Sequence, residues 1–435
     1  MSVNSDKFNN RGAISPATVD QLNRDFYGQI TYPWPQMTYP VYADPKCGLI
    51  FLNQELGDWT HMRVPRRTRI WVAGCGSNQA TLTALKFPRA EILATDISAP
   101  SLAVCEKNLR QLNIKNVRLQ EQSLNDVNYA EEFDYVICTG VIHHNADPAV
   151  PLRNLSAALK PDGVLELGVY NYYHRILTTA YQKAMQYLFM NDERADLDDQ
   201  LAITKQLMSR FPVENTMSFY LRQQSNGSRE YIADSFLQPV EHSYTVESLV
   251  ALLESCGLVL CLPCVSIFDK DYGQQSWNLE FENKSVAERY DALPDFSRWQ
   301  ITNLLAVEKS PILSFYAQPK ESSFPRRSEK EVCEEFLNTR FERYSTTVTN
   351  YVGGNGSYQL SSTPVPHPSP RVPVDALARE VFKAVEPDKT MRDVFQSLKI
   401  EPKFYLVNRL RTQLTTPLFP YLKARPATMS YNTRT

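Results

Sequence analysis

The sequence predicts an α/β fold, a mostly parallel sheet with helices on both faces. Two observations carry this. From residue 65 to about 175, short apolar runs alternate with helical stretches, the pattern of strands joined by crossover helices. The first run, Ile70-Trp71-Val72-Ala73, passes directly into Gly74-Cys75-Gly76-Ser77-Asn78. That is a strand ending in a turn where backbone comes close to something a side chain would block.

Taken in order, residues 1–64 form an aromatic and proline-rich lead-in. Phe26 to Tyr42 contains Pro33, Pro35 and Pro40, which argues against an ordinary helix there. Its rings must pack, either as a clamp across a sheet edge or as one wall of a cavity. Tyr27, Tyr32, Trp34 and Tyr39 are the candidate substrate contacts. Residues 65–175 form the core, with a second run, Glu91 to Thr95, ending in Asp96, and helices over Ser101–Leu112 and Ala149–Lys160. Residues 176–255 read as a helical insertion or cap, with helices at Leu177–Phe189 and Leu197–Leu207. Such insertions sit above the carboxyl ends of the strands, where ligands bind. Thr245 is the expected N-cap of a helix running to Cys256, with Ser248 at N3 and Gly257 at C′. Strand patterns at Cys256–Phe268 and Leu304–Tyr316 place the completion of the sheet in residues 256–318.

A Gly-rich strand end beside an acidic one suits a nucleoside cofactor, the carboxylate accepting from ribose hydroxyls. A dinucleotide-binding dehydrogenase would use the same parts, but it wants a third glycine where the helix starts. Here that region is Ser77-Asn78-Gln79-Ala80. The stretch continues through Phe133-Asp134-Tyr135-Val136-Ile137, Gly140-Val141-Ile142-His143-His144 and Leu159-Lys160-Pro161-Asp162-Gly163-Val164-Leu165. Over residues 65–175 it resembles the class I S-adenosylmethionine-dependent methyltransferases. The resemblance implies a Rossmann-like methyltransferase sheet and S-adenosyl-L-methionine as cofactor, leaving as S-adenosyl-L-homocysteine. It implies that Gly74 and Gly76 frame the methionine part, with Cys75 and Asn78 in the same loop. Asp96, with Ile97 beside it, would hold the ribose; Gln122 and Ser123 would lie near the adenine, and Val141 to His144 beside the reacting end. The family often has glycine where this chain has Asn78; asparagine tolerates a left-handed backbone, so the turn survives.

Methyl transfer needs a nucleophile held in line and relieved of its proton. His143 and His144 are candidate bases at a strand end, with ordinary pKa values near ~6.5. Tyr170 is a third catalytic candidate, from a cluster that also offers Tyr172 and Tyr173 as substrate contacts. The segment Asp234 to Thr245 looks like one found in larger methyltransferases, and it is expected to line the cavity through His242 and Tyr244. The expected acceptor is a specialised small molecule or peptide, as in natural-product biosynthesis, through nitrogen or oxygen. The alternatives are a protein side-chain amine of the lysine type, or a non-catalytic protein that keeps the fold for binding or scaffolding.

Residues 319–435 read as an accessory module, small and α+β or winged-helix-like. It follows turn chemistry at Gly353-Gly354-Asn355-Gly356 and a proline-rich stretch. Helices are expected over Val374–Val385 and Met391–Leu398, the second capped by Thr390. The module is expected to recognise substrate or partner, or to form a homodimer, away from the catalytic centre. His367 reads as an exposed linker residue.

The 46 basic and 48 acidic residues leave a net charge of -2, without the basic excess that supports nucleic-acid binding. Eight cysteines are scattered; Cys261 and Cys264 have metal-pair spacing but no second pair. They read as small buried hydrophobes, and no metal is expected. The polar amino terminus has no signal core and no run of eighteen apolar residues occurs, so a reduced cytoplasmic protein without a membrane span is expected.

Overall fold

The structure is a computed structural model that describes residues 15–30, 38–189, 196–265, 276–307, 309–354, 357–360, 363–367, 369–370 and 374–425. It opens with α1 (Pro16–Gln29), capped by Ser15, whose hydroxyl accepts from the Thr18 amide. β1 (Thr38–Tyr42) and α2 (Cys47–Glu55) follow. The lead-in therefore stays helical through Phe26 and Tyr27, against expectation, because its prolines begin only at Pro33. Tyr32 and Trp34 lie outside the described residues, and Tyr39 lies in β1.

Strand and helix then alternate: β2 (Arg69–Ala73), α3 (Gln79–Lys86), β3 (Glu91–Asp96), α4 (Ala99–Gln111), β4 (Val117–Glu121), β5 (Phe133–Thr139), α5 (Ala149–Ala158) and β6 (Leu159–Tyr170). The insertion comprises α6 (Tyr172–Leu188), α7 (Leu197–Ser209), α8 (Thr216–Gln224), α9 (Arg229–Phe236) and α10 (Val246–Ser255). Thr245 and Ser248 cap the last reciprocally, and Gly257 takes φ +76° after it. β7 (Leu258–Pro263), α11 (Lys284–Asp291), α12 (Asp295–Leu305) and β8 (Ile312–Pro319) complete the sheet. The strand expected from Leu304 starts only at Ile312. Asp295, Arg298, Trp299, Thr302 and Asn303 are buried at three- and four-residue spacing, so a helical face holds that segment through Leu305.

Seven strands run in the order β4-β3-β2-β5-β6-β8-β7. The first five are parallel, and β8 is antiparallel to both β6 and β7. The order reverses at β2, so the loops at the carboxyl ends of β2 and β5 diverge and open a crevice. One sheet face packs Trp71, Phe133, Val136 and Phe315 together with Leu152, Leu249 and Trp299. The other packs Ile70, Val72, Tyr135, Ile137 and Tyr316 with side chains of α2, α3 and α4. α1 joins the insertion instead: Phe26 and Ile30 share a cluster with Tyr181, Met185, Leu201 and Phe236.

The remaining elements are α13 (Glu329–Asn338), β9 (Arg340–Arg343), β10 (Thr347–Gly354), β11 (Ser357–Leu360), β12 (Val365–Pro366), α14 (Ala376–Ala384), α15 (Met391–Ser397), α16 (Phe404–Thr415), β13 (Phe419–Pro420) and β14 (Leu422–Arg425). Thr390 caps α15, its hydroxyl accepting from the Asp393 amide. α13 to α16 share a core around Val332, Phe336, Val381, Phe395, Leu410 and Leu414. This α+β region does not stand apart. β1 pairs with β10 from Thr38↔Val352 to Tyr42↔Val348. Gln54 of α2 donates to the Thr415 and Leu422 carbonyls at 3.2 and 2.9 Å and accepts from the Ala424 amide at 2.7 Å. Among the described residues no helix is long and apolar enough to cross a membrane.

Candidate active site

The Gly74–Asn78 loop is built on two left-handed glycines, Gly74 at φ +73° and Gly76 at φ +50°. A Cβ on Gly74 would lie 2.3 Å from the Val141 methyl, so the β2 and β5 loops abut as only glycine allows. The Gly74 and Cys75 amides donate to the Thr95 carbonyl at 2.8 and 2.9 Å. Asp96 ties the strand ends together: one oxygen accepts from the Gly76 amide at 2.7 Å, the other from Ser98 at 2.8 Å. Burial pushes its carboxyl above the ordinary value, against the pull of those amides. Asn78 stands at the N-cap position of α3 with φ −129°, so the left-handed tolerance expected of it is not used.

Gly74, Cys75, Gly76, Asn78, Asp96, Ile97, Gln122, Ser123 and Val141 all line one cavity of about 1070 Å³. The sequence-predicted cofactor residues are thus brought together. The Gln122 amide donates to the Asp96 carbonyl at 2.9 Å, and its side chain accepts from Tyr129 at 2.7 Å. A cradle that a Cβ would fill, beside a buried carboxylate at the next strand end, fits a nucleoside cofactor.

The sequence signalled α1 only through Tyr27, expected as a substrate contact. Asp20, Asn23 and Tyr27 line the cofactor end of the cavity. Asp20 accepts from Ser123 and, at 2.9 Å, from Asn125. Asn23 donates to the His144 carbonyl at 2.9 Å. The signal was present as three polar side chains at i, i+3 and i+7 on one helical face.

The histidine and tyrosine candidates divide differently from expectation. His144 lines the cavity, and its Nδ1 meets the Val240 carbonyl at 2.9 Å. Burial pushes its pKa down to about 3, so it stays neutral. His143 is fully buried and is not among the described cavity-lining residues. It stacks on Tyr170 at 3.9 Å, and Arg175 covers that ring, also at 3.9 Å. Tyr170, Tyr172, Tyr173, His242 and Tyr244 likewise lie off the described cavity wall. His242 instead braces the β5 loop, its amide donating to the His143 carbonyl at 2.8 Å and its ring meeting the Asn145 carbonyl at 3.0 Å. Tyr244 is buried, and its amide donates to the Tyr170 carbonyl at 2.8 Å. The Asp234–Thr245 segment therefore buttresses the site from behind. Its Glu241 pairs with Arg175 at 2.6 and 2.7 Å, and Asp234 accepts from the Tyr27 hydroxyl at 3.1 Å. The physical reason is charge: an arginine and two carboxylates buried together must satisfy one another.

Beyond the cofactor loops the cavity continues along the α3 side of the sheet. Ile137, Thr139, Glu166, Ser314 and Tyr316 line it. In register, Glu166 lies opposite Tyr316 and Gly168 opposite Ser314. Glu166 is thus two residues, about 7 Å, below Gly168, which pairs with Thr139 at the end of β5. Tyr135 donates to Glu166, and Tyr316 donates to Glu55 of α2 at 2.7 Å. Glu55 also accepts from the Val265 amide at 2.9 Å, and burial pushes its carboxyl up to about 7. The far wall comes from β1 and the carboxyl-terminal region: Tyr42, Val348, Val365, His367, Leu418 and Tyr421. His367 is no exposed linker residue. Its ring stacks on Tyr421 at 5.3 Å, and Nε2 meets the Pro420 carbonyl at 3.1 Å.

A family model described as a methyltransferase domain matches residues 71–165. An uncharacterized Synechococcus protein is 32% identical over 248 residues, 56% of this chain and 58% of that protein. The malonyl-[acyl-carrier protein] O-methyltransferase of Halalkalibacterium halodurans is 30% identical over 131 residues, 29% of this chain and 48% of its own. The chain thus spans about half the length of the curated relatives it matches. Nearly the whole fold is similar to PKMT2 from Rickettsia typhi, solved in complex with AdoHcy: TM-score 0.56 and 14% identity, covering 90% of this chain and 77% of that one. Sheet order, glycine cradle and strand-end carboxylate agree with these likenesses: residues 71–165 carry a methyltransferase domain, and its cofactor is S-adenosylmethionine.

Proposed function

We propose that this chain transfers the methyl group of S-adenosylmethionine to an amine nitrogen, of a small specialised molecule or of a lysine-type side chain. The observation that carries this reading is the cavity floor, where Glu166 and Glu55 lie with tyrosine rings beneath the strand ends that meet the cofactor. Lys86 is the single lysine or arginine among the described lining residues, against carboxylates at Asp20, Asp44, Glu55, Asp96 and Glu166. Such a surface attracts a cation. Bound S-adenosylmethionine supplies a methyl group already activated on its sulfonium. The chain's own task is to align the acceptor and take one proton. An ammonium group gives up its proton far more readily than an alcohol, and Glu55 accepts one near neutral pH. A hydroxyl acceptor would need a stronger base. His144, held near 3, is not one, and His143 lies off the described wall.

Steady-state kinetics of Glu166→Gln and Glu55→Gln with primary amines test this. Loss of a carboxylate is expected to lower kcat/KM for amines by about tenfold or more, the equivalent of one charge-assisted hydrogen bond, with S-adenosylhomocysteine affinity retained. Unchanged amine kinetics in both variants would contradict the reading.

A further inference from the structure

The cofactor's adenine carries an exocyclic amino group, and a buried carboxylate is its natural acceptor. The loop after β4, where the adenine is expected, carries Gln122 and Ser123 and no acidic side chain at those positions. A carboxylate reaches that loop from another part of the chain. Asp20 of α1 is 5% exposed, lines the cavity, and takes hydrogen bonds from Ser123 and Asn125. Both partners are neutral, and no lysine or arginine pairs with Asp20 among the described ion pairs. Two oxygens offer about four acceptor sites, and two are filled. A buried carboxylate satisfied only that far gains from further donors.

One turn along the same helix face is Asn23, 7% exposed. Its Nδ2 is engaged at the His144 carbonyl, while its Oδ1 is buried without a partner. Farther on, the Tyr27 carbonyl accepts from Ser98 at 3.2 Å, next to Asp96. α1 is thus bonded to three cofactor loops: those after β3, β4 and β5.

We infer that α1 is part of the cofactor site and that Asp20 reads the amino group of the adenine, supplying the carboxylate that Gln122 and Ser123 do not. Adenine ligands then bind through a donor–carboxylate contact that hypoxanthine, with an exocyclic carbonyl oxygen at the same position, cannot make there. The helix is also fastened to the fold through the cofactor.

Calorimetric titration with S-adenosylhomocysteine and its hypoxanthine counterpart, S-inosylhomocysteine, tests this without turnover. Wild type is expected to prefer the adenine ligand by about tenfold or more. Asp20→Asn exchanges one acceptor for a donor and should reduce that preference at least about tenfold. A purely structural role would weaken both ligands alike and leave the ratio untouched, and an unchanged ratio overturns the inference. Should Asp20→Asn fail to fold, hydrogen exchange on wild type decides. Amides of α1 slowed by the adenine ligand and not by the hypoxanthine ligand support it; equal slowing by both overturns it.

Discussion

Gly74 and Asp96 shape the cofactor loop by opposite means, one by lacking a side chain and the other by the bonds its side chain makes. Asp96→Ala removes the acceptor for two backbone amides that shape the cofactor loop, so S-adenosylhomocysteine affinity should fall by about 1.5 to 3 kcal/mol on calorimetric titration. Gly74→Ala drives a Cβ into Val141 at φ +73°. It should abolish measurable binding in the same titration while the chain stays folded by circular dichroism. Glu55 adds a pH dependence. Its carboxyl rises from 4.5 to about 7 on folding, so between those values the folded chain holds a proton that the unfolded chain has released. Its stabilisation is full below about pH 4.5 and is lost as pH rises through 7. Glu55→Gln, neutral throughout, should therefore melt above wild type at about pH 8 and converge with it near pH 4.5, as read by thermal melts. The loop residues that meet in the cavity were legible because glycine spacing and a strand-end carboxylate are local signals. Glu55 and Asp20 were not, because each reaches the site from a helix far away in sequence.

At the scale of elements, the alternation of strands and helices announced the sheet; Thr245 and Thr390 marked helix starts by side chains that bond within three residues, and Gly257 marked a helix end by its left-handed backbone. Where reading failed, tertiary contacts decided. Leu304 and Leu305 are apolar enough for a strand, yet Trp299 and Thr302 bind their segment as a helix. His143 sits at a strand end like a base, but Tyr170 and Arg175 cover it. A turn-rich stretch near residue 355 suggested a separable module, whereas β1, Gln54 and Arg411 tie it to the rest. Deletion of residues 371–435 should accordingly not leave a soluble, cofactor-binding core. It strips α14 to α16 from the cluster holding Val332 and Phe336 and should give aggregated protein on size-exclusion chromatography. Leu414→Ala, inside that cluster, should cost about 2 to 5 kcal/mol in denaturant unfolding.

For the whole molecule, the central claim is that one cavity, closed by α1 at the cofactor end and by the carboxyl-terminal region at the other, joins methyl donor and amine acceptor. Composition alone gave no hint of this, since nearly balanced charges hide a carboxylate-rich interior. The most direct test is to incubate the full chain with S-adenosylmethionine carrying a deuterated methyl group and a panel of matched primary amines and alcohols, including lysine peptides. Products are then identified by mass spectrometry. Labelled methyl is expected on nitrogen of at least one amine, lost in Asp96→Ala, and none on the matched alcohols. Label on oxygen alone, or bound cofactor with no transfer to any amine, would contradict the claim.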